Sequence, residues 1–84
     1  MIRKEFNPVV LRERIKLLRT ELGMNRKAFS NLVGSTTGSN VCWWESGERV
    51  PSAYYCFQIA QSCGVSADWL LGLTDERKDV DYDA

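Results

Sequence analysis

Three cysteines, Cys42, Cys56 and Cys63, are the strongest nucleophiles in a chain of 84 residues that contains no histidine. Without an imidazole there is no Ser-His-Asp or Cys-His chemistry and no histidine-containing zinc site. The cysteines are odd in number and none stands at Cys-x-x-Cys spacing, so a disulfide framework is not expected. Cys56 and Cys63 are seven apart on the inward side of one helix, where small buried thiols are the rule. Cys42 falls on an exposed stripe and is open to modification. The groups that remain are suited to binding. Arg26 and Lys27 sit in the first turn of a helix, which disfavours cations unless an anion docks there. Ser39, Cys42, Trp43 and Ser46 recur at i, i+3, i+4 and i+7, so they share one face of another helix. The expected class is binding, with no catalysis, no metal and no cofactor.

Helices must position these groups. Asn7 caps a first helix with Pro8 at its first position, and Leu11, Ile15, Leu18 and Leu22 form its apolar stripe up to Gly23. Its outer face carries Arg12, Glu13, Lys16 and Arg19, either solvated or along a phosphate. Asn25 caps a short second helix with Ala28, Phe29, Leu32 and Val33 inward. A polar turn, Gly34-Ser35-Thr36-Thr37, leads to a third helix over about 37–46, capped by Thr37 and stopped by Gly47, with Val41 and Trp44 inward. After the loop Glu48-Arg49-Val50-Pro51, Ser52 caps a fourth helix to Cys63, with Cys56, Phe57, Ala60 and Cys63 inward. Ser66 caps a fifth, holding Trp69, Leu70 and Leu71 and closed by Gly72. No strand pattern or repeat interrupts the series. The fold class is all-α, about five short helices around one core.

Two short helices joined by a tight polar turn suggest a helix-turn-helix. The pieces Leu22-Gly23-Met24-Asn25-Arg26, Phe29 to Gly34, Trp44-Glu45-Ser46-Gly47-Glu48-Arg49-Val50-Pro51-Ser52, Cys63-Gly64-Val65-Ser66 and Asp68-Trp69-Leu70-Leu71-Gly72 occur in order. Together they resemble the phage-repressor (Cro/Xre) helix-turn-helix family, the λ-repressor-like DNA-binding domains. The resemblance implies a bacterial or phage transcriptional regulator, a repressor by preference, that binds double-stranded operator DNA as a homodimer with the third helix in the major groove. It implies base-facing positions at Gly38, Ser39, Asn40 and Trp43, and phosphate-facing ones at Asn25, Arg26, Ser46 and Arg49. Arg14 and Glu45 match a structural ion pair of the family. Asn40 has the amide that an adenine edge takes, although a satisfied first-turn residue is the other reading. Trp43 suits a thymine methyl, a sugar edge, the core or a protein interface. From Gly34 to Glu45 there are 11 steps against the family's usual 10, so the turn carries one extra residue, and Glu48 stands where a lysine is common.

Net charge is zero, with 11 basic and 11 acidic side chains. Residues 1–74 carry nine basic and six acidic groups, an excess of three positive charges, and residues 75–84 carry five acidic and two basic ones. The expected division is therefore a DNA-binding domain over 1–74 and a flexible acidic tail over 75–84. No apolar run approaches the length of a membrane span and the opening residues do not resemble a signal peptide, so a cytoplasmic location without membrane contact is expected. A protein-interaction module or antitoxin on the same scaffold is the alternative, since exposed Leu17, Trp43, Tyr54 and Tyr55, with the acidic tail, would suit a protein partner.

Overall fold

The computed structural model describes residues 4–78. Residues 1–3 and 79–84, most of the acidic tail among them, lie outside the described residues. Helix α1 (Pro8–Glu21) begins where the Asn7 side chain accepts from the Val9 N–H at 3.0 Å. Asn25 does the same for α2 (Arg26–Leu32), accepting from the Ala28 N–H at 2.8 Å. Serines cap α4 (Ala53–Cys63) and α5 (Ala67–Leu71) through Ser52 and Ser66. These caps take up N–H groups that a helix start leaves without partners. Helix α3 (Ser39–Ser46) has Gly38 at its cap, one residue after the Thr37 that the sequence suggests.

The apolar stripes meet in one core. Leu11, Ile15 and Leu18 of α1 lie against α3 and α5, Phe29 of α2 lies beside Val41 and Trp44 of α3, and α4 backs α5 with Ile59 and Ala60. Three residues expected inside are outside. Leu22 is 48% exposed because the chain turns away at Gly23, Leu32 is 38% exposed at the end of α2, and Phe57 is 52% exposed. Phe57 sits a 100° turn from Cys56, while Ile59 joins Cys56, Ala60 and Cys63 on the inward stripe. Burial pushes the Cys56 and Cys63 thiols above their ordinary range.

The chain after α5 is tied to the body past the expected boundary at residue 74. The Ser66 N–H donates to the Arg77 carbonyl at 2.7 Å. Arg77 pairs with Glu21 at the end of α1 and lies 5.2 Å over the Trp69 ring, whose centroid is also 4.7 Å from the Arg14 guanidinium. Among the described residues, no helix is long and apolar enough to cross a membrane.

Candidate nucleic-acid interface

The turn between α2 and α3 is a hydroxyl network. Ser30 and Ser35 are buried, and both side chains donate to the Thr37 carbonyl, at 2.8 and 3.0 Å. The Ser35 oxygen also accepts from the Asn40 side-chain amide at 2.9 Å, and the Thr37 hydroxyl oxygen accepts from the Ser39 N–H at 3.2 Å, one residue ahead of the Gly38 cap. The network closes the turn directly ahead of α3. Asn40 is half-buried, and its side-chain amide donates one hydrogen bond back into the turn. Gly38 rests on α2: a Cβ at that position would stand 3.7 Å from the Lys27 Cα.

The expected Arg14–Glu45 pair does not form. Glu45, with a side chain only 3% exposed, takes a two-pronged contact from Arg19 at 2.6 and 3.1 Å and a third from Arg26 at 3.2 Å. The reason is helical phase. Arg12 and Arg19, seven residues apart, share the face of α1 that meets α3, and Arg14 lies about 160° around the axis from Arg12. Arg14 instead donates to the carbonyls of Trp69 and Thr74 and pairs with Asp75 at 3.1 Å. Arg12 reaches the Ser46 carbonyl at 3.5 Å, beneath the loop that follows α3. Sequence reasoning missed Arg19 as Glu45's partner, because nothing in the sequence says which face of α1 meets α3.

The remaining positions form the outward side of α3 and its rim. Ser39, Cys42 and Ser46 are exposed and Trp43 is half-buried. The Arg49 guanidinium lies 4.0 Å over the Trp43 ring, and the Arg49 N–H donates to the Trp43 carbonyl at 3.3 Å. Ser46 turns its hydroxyl back to the Trp43 carbonyl at 3.1 Å. Asn25 has its side-chain oxygen committed to the cap of α2. Arg26, 51% exposed at its side chain, Lys27 and Arg49 bring positive charge to the rim, with Glu48 opposing them. Such a helix can lie in a duplex groove while cations at its flanks meet phosphates.

The helix-turn-helix family model matches residues 15–70. Among solved structures, the chain is similar to the P22 c2 repressor in complex with synthetic operator 9T, at 25% identity and a TM-score of 0.69, over 75% of this chain and 94% of that one. It is similar to the restriction-modification controller protein C.AhdI from Aeromonas hydrophila, at 25% identity and a TM-score of 0.67, with the same coverage. A hypothetical transcription factor, NHTF from Neisseria, shares the fold at 20% identity and a TM-score of 0.69, over 84% of this chain and 86% of that one. Among curated proteins no sequence matches.

Proposed function

The chain belongs to the helix-turn-helix family, and from that premise we propose that it is a sequence-specific DNA-binding transcriptional regulator of the phage-repressor kind, acting as a repressor. The observation that carries the reading is the side of α3 left outward by the core, bordered by Arg26 and Arg49. Helix α3 enters the major groove of operator DNA, with Gly38, Ser39, Asn40 and Trp43 toward the bases. Asn25, Arg26, Ser46 and Arg49 lie along the phosphates. The protein acts in the cytoplasm as a homodimer whose reading helices lie one DNA turn apart, about 34 Å. The likeness to a repressor bound to operator DNA supports this.

Selection of bound duplexes from a random pool, followed by salt titration, tests it. A palindromic site and an affinity that falls steeply with salt are expected. A protein-interaction module is the second reading, favoured by Tyr54 and Phe57, exposed at 59% and 52% on α4. A partner docked on those rings would respond weakly to salt, and no duplex would be recovered.

A further inference from the structure

The outward side of α3 is short of hydrogen-bonding groups free to read a base. Gly38 has no side chain. Asn40 gives its amide N–H to Ser35, Ser46 folds its hydroxyl onto the Trp43 carbonyl, and Glu45 is held by Arg19 and Arg26. Beside that tethered amide stand the Ser39 hydroxyl, the Cys42 thiol and the Trp43 indole, with one strong donor each at most and no paired donor–acceptor fork among the three. The strongest polar readout of the major groove needs such a fork, as an arginine gives to guanine or an amide gives to adenine. What the helix does offer is a large flat apolar ring whose position is set: Arg49 covers it at 4.0 Å and pins its backbone carbonyl at 3.3 Å.

The major-groove feature that an apolar surface recognises is the 5-methyl group of thymine. We infer that this chain reads its site chiefly through thymine methyls packed on Trp43, and that Arg49 is a positioning residue that holds the indole for that contact while its charge faces a phosphate. The inference rests on the proposed DNA binding and adds the chemistry of the bases recognised. A guanidinium suits the double role, because its plane stacks on an aromatic face while its edge keeps donors free. A lysine ammonium has the charge without the plane.

The test uses the full chain and the duplex recovered by selection. Each thymine is replaced in turn by deoxyuridine, which removes the methyl and leaves every hydrogen-bonding group in place. One or two positions in each half-site should bind about fourfold more weakly, the equivalent of ~0.8 kcal/mol for one buried carbon group. Trp43→Ala should bring the thymine-to-deoxyuridine ratio at those positions to one, and Trp43→Phe should keep part of it. Arg49→Lys should lower the ratio while leaving the salt slope unchanged, a separation that a purely structural role would not produce. Circular dichroism confirms that each variant is folded before it is scored, and Trp43→Phe serves if Trp43→Ala is not. A recovered half-site without thymine, or affinities indifferent to every methyl, overturns the inference and leaves the proposed function standing. Absence of duplex binding at low salt overturns both.

Discussion

Glu45 holds two arginines with one carboxylate, and its place decides what each is free to do. Arg19 is the buried partner, 13% exposed at its side chain, and its guanidinium also donates to the Met24 carbonyl at 3.0 Å. Removing Glu45 would leave that charge inside without its anion. Glu45→Ala is expected to lower stability by about 3–5 kcal/mol in chemical denaturation, the usual penalty for stranding one half of a buried pair. Asp75→Ala provides the contrast: that carboxylate is 97% exposed beside Arg14, and its loss should stay within about 1 kcal/mol. Equal losses from the two substitutions would mean that the carboxylate of Glu45 is not the anchor of α3. The outward stripe of α3 was legible because helical spacing sorts inward from outward residues, and Ser39, Cys42 and Ser46 are exposed. The partner of Glu45 was not, because which of several arginines on α1 faces α3 depends on how the helices cross. The role of Asn40 was hidden for a similar reason: Ser35 is its acceptor only once the turn has closed.

At the scale of elements, the helix starts and stops are written locally. Asn7, Asn25, Ser52 and Ser66 cap the helices they precede in the sequence. Thr37 is not the cap of α3, because its carbonyl is held in the turn by Ser30 and Ser35, a tertiary event that propensity does not encode. Phe57 reads as core by type, but Cys56, Ile59, Ala60 and Cys63 fall at i, i+3, i+4 and i+7, so helical phase puts Ile59 inside and Phe57 off the stripe. The junction of α3 with the loop that carries Arg49 turns on Gly47. Its φ of +88° is a left-handed conformation that a side chain resists, and an added Cβ would lie 2.5 Å from the Arg12 guanidinium. Because that neighbour is the tip of a flexible side chain, it can swing aside, and the backbone conformation sets most of the penalty. Gly47→Ala should therefore cost about 1–2 kcal/mol by thermal or chemical unfolding, and Arg12→Ala should not rescue it. Gly47→Asn should lose less, since asparagine tolerates this conformation better than alanine. Full rescue by Arg12→Ala would make the clash, rather than φ, the controlling term.

For the whole molecule, charge is arranged in sequence and in space so that a zero total conceals local function. At the far end of α1 from the Asn7 cap, Arg77 closes the chain onto the body through Glu21. Its guanidinium holds the Glu21 carboxyl below the ordinary carboxylate range, and the Arg77 pKa is raised in return. A carboxyl with a lowered folded pKa adds stability above its unfolded value near 4.5, and that contribution is lost as pH falls through the folded value. Glu21→Gln should thus narrow the difference between neutral and acid stability, read from unfolding at pH 7 and pH 3. An unchanged difference would show that the pair does not close the chain in solution. DNA binding supplies the larger electrostatic readout. If Arg26 and Arg49 of each protomer meet phosphates, a dimer neutralises four, and log affinity should fall against log salt with a slope of about −3.6. Arg26→Ala should flatten that slope by about 0.9 per protomer and weaken every duplex alike, since a phosphate contact carries no base identity. It should leave the fold intact, because the Arg26–Glu45 contact is half-exposed and Arg19 remains to hold Glu45. A slope that Arg26→Ala does not change would place that guanidinium away from the phosphates, with its service limited to Glu45.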